Sequence, residues 1–339
     1  MTKKSFLIKT VLISMLTAVT FTGFTFCSND DDIAYEPVSP APTRQHVADI
    51  NQRVINFEGV DNGRDMGGLV MQDGRTVCFD KLVRSGKLAK ATDAVVAILQ
   101  DRYHLSDVFD FRFDLEISEA SDRVISGVTY TQVSTMPQKL IDAQEAFGAG
   151  SGQLSTPGTI DVLMKYAFDP EVQEMVKQLY PAIVTDPQSQ ANYGKFLRGV
   201  LAAKGGVLWH CSEGKDRCGW GSALLLAALG ASRQVIVEDF DMSNLSYANQ
   251  VEALSALVRD KEGGAAAVDF IQAMVGVSTA NFEATLDLID QQYGSMEQYL
   301  ENQLGFSKEE QNLLRAKYLT AATMPRLWCL AWATTRKEK

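Results

Sequence analysis

The alternation of apolar and polar positions predicts several short strands in the middle of the chain. Val108 to Phe111 forms an apolar run interrupted by Asp110, and residues 128–133 alternate between apolar and polar side chains. The wholly apolar run 206–209 follows a glycine and is typical of a buried strand. Because these runs alternate with helical segments, we expect an α/β domain.

Helical spacing accounts for much of the remaining sequence. Thr92 is placed to begin a helix over 93–101, and an apolar helix over about 217–229 is expected to end at Gly230. Ser232 should then cap the next helix. These helices complete the α/β pattern.

Two further regions are helical in pattern. Residues 137–203 should be interrupted at Pro181 and Pro187, because proline cannot continue a helix. In the last third, Gly305 should stop one helix, and Ser307-Lys308-Glu309-Glu310 fits a capping box that starts another.

The N-terminal segment predicts export. Lys3 and Lys4 precede an apolar stretch that ends at Phe26, an order typical of a secretory signal. Cys27 and the acids after it resemble the site at which bacterial lipoproteins are cleaved and lipidated, although a small residue is usual where Phe26 stands. We expect residues 1–27 to be a signal segment with Cys27 as a lipid anchor in the cell envelope. The alternative is cleavage without lipid, which gives a periplasmic or secreted protein.

Composition limits the domain organisation of the chain and the classes of ligand that it can bind. Residues 28–45 are polar, contain three prolines and predict a linker, which leaves 46–339 as one domain. The formal net charge of −10 argues against nucleic-acid binding and confines any anion site to a local electropositive pocket. The five cysteines show neither disulfide nor zinc spacing, and there are three histidines, so we expect no metal and no cofactor.

The candidate chemistry lies in one loop, His210-Cys211-Ser212-Glu213-Gly214-Lys215-Asp216-Arg217. Backbone N–H groups at a strand-to-helix junction and the helix dipole form a cup for a tetrahedral anion. Arg217 can close the cup with two hydrogen bonds, and the same field stabilises a thiolate at Cys211 placed to attack phosphorus. A buried structural cysteine is the plainer alternative. Gly219 and Gly221, which allow close packing behind the loop, favour the functional interpretation.

This loop, continued to Cys218-Gly219, resembles the signature of cysteine-dependent tyrosine and dual-specificity phosphatases. Its Gly-Lys-Asp-Arg core resembles the atypical bacterial branch, which acts on phosphotyrosine and, in some members, on phosphoinositides. The resemblance spans about residues 46–320 and includes Asn62-Gly63-Arg64-Asp65-Met66-Gly67-Gly68, Arg84-Ser85-Gly86, Asp110-Phe111-Arg112 with Glu116, Asp239-Phe240 with Ser243-Asn244, and Tyr293-Gly294-Ser295 through Leu304-Gly305-Phe306-Ser307. It implies a cysteine-phosphatase fold, with a central mixed sheet flanked by helices and a helical lid within about 137–193.

The resemblance also implies roles within the loop. Cys211 would be the nucleophile that forms a cysteinyl-phosphate, and Arg217 would stabilise the phosphate charge. Lys215 is expected at the rim, where it engages a second phosphate or an acidic side chain, unless it is an ordinary solvated lysine. The phosphate-binding backbone amides would be those of Ser212, Glu213, Gly214, Lys215, Asp216 and Arg217.

Two aspartates compete for the role of general acid, which protonates the leaving oxygen. Asp216 in the loop is favoured over Asp110, which the resemblance places beside the cup, and either could instead only order the loop. His210 is expected to order the loop and help to stabilise the thiolate, or to be a satisfied core histidine. Three more charged residues are expected to be structural ion-pair partners: Arg64, Asp65 and Arg112.

Cys218 departs from the resemblance, because most relatives have Thr or Ser there, whose hydroxyl assists breakdown of the phosphoenzyme. A thiol is a weak donor, so Cys218 could slow that step. Alternatively, it could trap oxidised Cys211 as a disulfide.

The sequence therefore predicts a cysteine-dependent phosphatase for phosphate monoesters. A phosphotyrosine protein is the first choice of substrate, with phosphoserine, phosphothreonine or phosphoinositides as further substrates. A catalytically weak phosphate-binding module is the main alternative, although the presence of both Cys211 and Arg217 counts against it. Arsenate reduction is a second alternative, because arsenate has the shape of phosphate.

Overall fold

The computed structural model describes residues 53–145 and 164–320, without the side chains at 143–145 and 171. The predicted signal segment, its Cys27 and the linker 28–45 lie outside the described residues. Among the helices that are described, none combines the length and the apolar character needed to cross a membrane.

The chain divides into two compact units. Within the described residues, one unit contains 53–137, 180–240 and 279–320, and the other contains 138–145, 164–179 and 241–278. The candidate loop and its sheet belong to the first unit.

Seven short strands are described, all in the unit that holds the loop. They are β1 (Arg64–Asp65), β2 (Thr76–Val77), β3 (Leu82–Ser85), β4 (Leu105–Asp110), β5 (Thr129–Gln132), β6 (Gly206–His210) and β7 (Leu319–Thr320). Five of them form a sheet in the order β1-β3-β6-β4-β5, in which β1 is antiparallel to β3 and the other neighbours are parallel. The remaining two, β2 and β7, form an antiparallel pair. The expected central mixed sheet is therefore confirmed.

Twelve helices have described bounds. Those of the sheet-containing unit are α1 (Asp93–Asp101), α2 (Asp114–Glu119), α5 (Pro187–Ala202), α6 (Asp216–Leu229), α10 (Thr279–Tyr293), α11 (Met296–Asn302) and α12 (Lys308–Tyr318). The other unit contains α3 (Gln138–Glu145), α8 (Ser243–Val258) and α9 (Gly264–Val275). The unit boundaries fall within α4 (Pro170–Thr185) and α7 (Arg233–Asp241).

Most of the predicted element bounds are confirmed. The helix over 93–101 has Thr92 at its N-cap, and α6 ends at Gly230 in the left-handed conformation. The Ser307 capping box is present at the start of α12. The break predicted at Pro181 is wrong, because this proline lies inside α4. The predicted lid segment is helical at α3, α4 and the start of α5, and its residues 146–163 lie outside the described part of the chain.

Apolar side chains cover both faces of the sheet. On one face, Val83, Val108 and Leu208 pack with α1 in a cluster of buried residues. On the other, the rings of Phe109 and Trp209 contact Phe196 of α5. Adjacent strand residues point to opposite faces, so both sides of the sheet are buried.

Strand register brings three chemically important ends together. His210, the last residue of β6, is paired with Ser85 of β3 on one side and with Asp110 of β4 on the other. Because these strands are parallel, the segments that follow them leave the sheet at the same edge. The loop that begins at Cys211 starts at this edge.

The second unit has its own apolar core. Val172 of α4 packs with Leu254 and Val258 of α8 and with Phe270 and Ile271 of α9. This core contains none of the candidate catalytic residues.

Candidate active site

The candidate loop connects the buried strand β6 to the N-terminus of α6. Gly214 has a φ of +68°, which disfavours any residue with a side chain. A Cβ atom there would also lie 2.4 Å from the backbone carbon of Ser85 and 2.6 Å from the nitrogen of Gly86. Glycine at this position therefore lets the loop pack directly against the turn that follows β3.

The side chains of Asn62 and Arg84 donate hydrogen bonds to carbonyl groups of the loop. Asn62 Nδ2 donates to Gly214 O at 2.9 Å, and Arg84 Nη2 donates to Gly214 O at 2.8 Å and to Lys215 O at 3.2 Å. In a planar trans peptide the N–H points opposite to the carbonyl. The N–H groups of Lys215 and Asp216 therefore point away from Asn62 and Arg84, in the orientation that an anion cup requires.

A buried cluster of three arginines and one aspartate supports the loop. Asp239 accepts hydrogen bonds from Arg53 and, at 2.8 Å, from Arg84, and its Oδ1 lies 3.4 Å from Arg64 Nε. All four side chains are at most 2% exposed. Burial alone would raise the pKa of Asp239, but the arginines outweigh it and hold the pKa well below its usual range.

The arginine cluster also supplies positive potential. Burial and the neighbouring Arg84 lower the pKa of Arg64 to about 9, so this guanidinium stays charged at neutral pH. Three positive charges then face the single negative charge of Asp239. Because Arg84 bonds directly to the loop carbonyls, this excess favours an anion in the loop.

Arg217 is held by a carboxylate from α2. Its Nη1 donates to Glu116 Oε2 at 2.6 Å and its Nη2 donates to Glu116 Oε1 at 2.7 Å. Ser212 Oγ donates to Glu116 Oε1 at 2.5 Å. Burial alone would raise the pKa of Glu116, but Arg217 and Ser212 outweigh it and keep the pKa below its usual value. Glu116 therefore fixes Arg217 as an ion pair.

Cys211 and Cys218, the two cysteines of the signature, differ in their surroundings. Cys211 directly follows β6 and is 2% exposed. Cys218 lies within α6, and its thiol donates to Trp209 O at 3.5 Å. Burial raises the pKa of Cys218 to about 12, so it remains a thiol at neutral pH. Slow breakdown of the intermediate and disulfide trapping both remain predictions.

Lys215 forms a buried ion cluster with two carboxylates of the same loop. Its Nζ lies 3.4 Å from Glu213 Oε2 and 3.8 Å from Asp216 Oδ2, and its side chain is 1% exposed. The alternative of an ordinary solvated lysine is therefore wrong. Burial lowers the pKa of Lys215, but the two carboxylates outweigh it and raise the pKa. Burial is the larger effect on Glu213 and raises its pKa to about 7.

The two general-acid candidates occupy different environments. Asp110 receives hydrogen bonds from the backbone N, Nε and Nη2 of Arg112 at 2.8–3.1 Å. Asp216, the first residue of α6, receives a 2.7 Å hydrogen bond from the hydroxyl of Tyr180 on Oδ1. Arg112 therefore occupies the Asp110 carboxylate more fully than Tyr180 occupies that of Asp216.

His210 joins a buried charge network behind the loop. Its Nε2 lies 3.0 Å from Asp122 Oδ2 as an ion-pair contact rather than an aligned hydrogen bond, and its Nδ1 lies 3.7 Å from Asp110. Burial lowers the pKa of His210, but the two carboxylates outweigh it and raise the pKa. Asp110, Asp122 and His210 are close enough to share a metal ion, but Arg112 already bonds both carboxylates.

The expected structural ion pairs are confirmed for two of three residues. Arg64 pairs with Asp239, and Arg112 pairs with Asp110. The expectation for Asp65 is wrong among the described residues, because its carboxylate accepts hydrogen bonds from the backbone N–H groups of Gly67 and Asp80. Burial raises the pKa of Asp65 to about 6.

Seven contributors to the site received no role from the sequence. They are Arg53, Asn62, Arg84, Glu116, Asp122, Tyr180 and Asp239. Those within the resemblance motifs, Asn62, Arg84, Glu116 and Asp239, carried a signal that could have identified them. The contact of each with the loop or its supporting arginines depends on residues distant in sequence.

Comparison with known proteins relates this chain to tyrosine phosphatases. The model of the tyrosine phosphatase family matches residues 55–320. A provisionally named tyrosine-protein phosphatase of Cupriavidus necator is 28% identical over 291 residues, which cover 84% of this chain and 95% of that protein. The triple specificity protein phosphatase PtpB of Mycobacterium tuberculosis is 28% identical over 255 residues, which cover 70% and 91%.

Among solved structures, that of TpbA from P. aeruginosa matches 59% of this chain and 90% of its own, with 17% identity and a TM-score of 0.27. The family match contains both the loop and Glu116. The chain therefore belongs to the tyrosine phosphatase family and is a phosphoric monoester hydrolase.

Proposed function

We propose that this phosphatase hydrolyses phosphate monoesters through a covalent intermediate on Cys211, with phosphotyrosine as its preferred group. One observation carries the proposal. Cys211 begins a loop at the N-terminus of α6, and Arg217 in the same unit is already held by Glu116. A nucleophile and a fixed phosphate-binding cation are thus positioned by one strand, one loop and one helix.

The geometry of Arg217 supports its role in binding phosphate. A guanidinium has five N–H donors, and Glu116 takes one from Nη1 and one from Nη2. The edge formed by Nε and the second Nη2 hydrogen can then bind two phosphate oxygens. The backbone amides of the loop would bind the remaining negative charge.

The first chemical step is attack of the Cys211 sulfur on phosphorus. As the S–P bond forms, the bond from phosphorus to the leaving oxygen breaks, and Asp216 gives its proton to that oxygen. In the second step, water attacks phosphorus, its proton goes to Asp216, and the Cys211 thiolate is released. Arg217 stabilises the charge on the phosphoryl oxygens in both steps.

Asp216 is the better candidate for the general acid. Arg112 donates three groups to the carboxylate of Asp110, which fits an ordering role. Asp216 has a single hydroxyl donor on Oδ1, while its Oδ2 is 3.8 Å from Lys215. A carboxyl group with one weakly engaged oxygen is better able to hold and transfer a proton.

The names of the relatives support more than one test substrate. The family is that of tyrosine phosphatases, and the mycobacterial relative is named for triple specificity. Phosphoserine, phosphothreonine and phosphoinositides therefore belong beside phosphotyrosine in the assay.

We also propose that the protein is exported and anchored through Cys27. The proposal rests on the signal-like order of the first 27 residues. Cys27→Ala should move the protein from the membrane to the soluble fraction, and an unchanged distribution would refute the anchor.

The direct test is phosphate release by the purified protein under reducing conditions. Phosphotyrosine, phosphoserine and phosphothreonine peptides and a phosphoinositide panel should be compared in the parent and in Cys211→Ser. We expect release from the phosphotyrosine peptide that is abolished by the substitution. Binding of phosphopeptide without release, by a folded parent, would instead support a phosphate-binding module.

A further inference from the structure

Glu213 places a carboxylate inside the phosphate loop, next to the loop lysine. Its Oε2 lies 3.4 Å from Lys215 Nζ, and the side chains of Glu213 and Lys215 are 10% and 1% exposed. Asp216 Oδ2 faces the same ammonium group at 3.8 Å. Lys215 is thus an internal cation of the loop with two carboxylates around it.

The charges around Lys215 are unfavourable for a second phosphate. The positive charge of Lys215 is already offset by these two carboxylates when all three groups are ionised. A second phosphate group placed there would meet two like charges, which disfavours its binding. To bind it, the lysine would first have to leave Glu213.

The side chains of Arg217 and Lys215 differ in how far their N–H donors remain available to bind substrate. Arg217 keeps one edge of its planar guanidinium while Glu116 holds the other. The Lys215 ammonium is a compact point charge, so the carboxylates that hold it compete directly with a phosphate for the same charge. Arg217 is therefore oriented to bind the scissile phosphate, whereas Lys215 is engaged by carboxylates and is not prepared to bind an adjacent one.

We propose that Glu213 is a specificity-determining residue, which holds Lys215 and selects esters that carry one phosphate over esters with a second phosphate beside the scissile one. The proposal rests on the proposed function, because it assigns the substrate class of the same loop. It predicts that the substrate is an isolated phosphate monoester, such as phosphotyrosine.

The test compares two soluble substrates that differ only in the neighbouring phosphate. One is a short-chain phosphatidylinositol monophosphate, and the other is the bisphosphate with its second phosphate on the adjacent ring carbon. The ratio of kcat/KM for bisphosphate to monophosphate is measured for the full chain, for Glu213→Gln, for Glu213→Asp and for the double variant Glu213→Gln with Lys215→Met. We expect Glu213→Gln to raise this ratio about tenfold, because Lys215 becomes available to the second phosphate.

Two further variants test whether the change in the kcat/KM ratio depends on Lys215. Glu213→Asp, which keeps the charge, should leave the ratio within about twofold of the parent. The double variant Glu213→Gln with Lys215→Met should lose the gain. An unchanged ratio in Glu213→Gln, or a gain that persists without Lys215, would overturn the proposal. If Glu213→Gln does not fold, Glu213→Ala provides the same comparison.

A separate measurement tests the proposed function independently of this ratio. Turnover of a phosphotyrosine peptide by the parent, and its loss in Cys211→Ser, tests the enzyme regardless of the ratio. Peptide turnover with an unchanged ratio would refute the role of Glu213 alone. Absence of turnover of every substrate by the folded parent would refute both proposals.

Discussion

Glu116 and Arg217 form two parallel hydrogen bonds of 2.6 and 2.7 Å between side chains that are at most 5% exposed. The residues are 101 positions apart and are carried by α2 and α6. The pair orients the guanidinium while leaving one of its edges for phosphate. Preorganisation of this kind is the main way in which a protein stabilises a phosphoryl transition state.

Glu116→Gln should impair catalysis by releasing this orientation. The amide keeps the shape of the side chain but removes its charge and turns a donor towards Arg217. We expect kcat/KM for a phosphotyrosine peptide to fall about 100-fold, mainly through kcat. Glu119→Gln, an exposed position on the same helix, is the matched control and should behave like the parent. Equal activity of the two variants would show that Arg217 needs no carboxylate to orient it.

Asp216→Asn should remove the general acid. If Asp216 protonates the leaving oxygen, the variant loses the alkaline limb of the pH–rate profile. The rate with a poor leaving group should drop by about 100-fold or more, and the rate with a good leaving group much less. The same profile measured for Asp110→Asn discriminates the two aspartates. A limb lost only in Asp110→Asn would reverse the assignment.

Asp239→Asn should destabilise the fold strongly. It leaves three buried guanidinium groups without their shared carboxylate, a change that costs about 3–5 kcal/mol. Because the pKa of Asp239 is well below its ordinary 3.8, this stabilisation is complete above about pH 4 and declines as acid protonates the group. Urea unfolding across this pH range measures the effect, with Glu238→Gln on the same helix as the control. A change below about 1 kcal/mol at neutral pH would contradict the cluster's structural role.

Glu213→Gln should alter how stability depends on pH. Burial and the nearby Asp216 raise the pKa of Glu213 from 4.5 to about 7, against the opposing effect of Lys215 and Lys87. The protonated Glu213 carboxyl therefore makes its full contribution to the parent's free energy of unfolding below about pH 4.5. This contribution is lost as the pH rises through about 7. The variant has no carboxyl to ionise, so its free energy of unfolding should improve relative to the parent by roughly 3 kcal/mol across that interval. Parallel unfolding curves at every pH would exclude this titration.

Local sequence signals were sufficient for the elements that position the nucleophile. The run 206–209 is wholly apolar, Gly230 ends α6 in the left-handed conformation, and the residues between them leave few alternatives to a strand, loop and helix. Cys211 and Arg217 could therefore be placed at one junction from sequence alone.

The helix break that the sequence predicted at Pro181 is wrong because tertiary packing outweighs the local preference of proline. Proline disfavours a helix interior, but Ile183 and Val184 beside it are fully buried in α4, and Tyr180 is 3% exposed. The packing of these side chains outweighs the local penalty and keeps the helix continuous.

The ion pairs of the site depend on long-range packing. Asp239 meets Arg64 and Arg53 across 175 and 186 residues, and no periodic pattern identifies such partners. The environment of Lys215 could not be predicted for a related reason. Its neighbour Glu213 is close in sequence, but only the folded loop shows that both side chains are buried together.

The central claim is that Cys211 carries the phosphoryl group during turnover. The most direct measurement is rapid quenching of the parent in denaturant at alkaline pH during turnover of a ³²P-labelled phosphotyrosine peptide, followed by peptide mapping of the label at that pH. We predict one S-linked phosphocysteine, located on the peptide that contains Cys211 and absent from Cys211→Ser. Rapid turnover without label on that peptide, or equal labelling of Cys211→Ser, would contradict the assignment of Cys211 as the nucleophile.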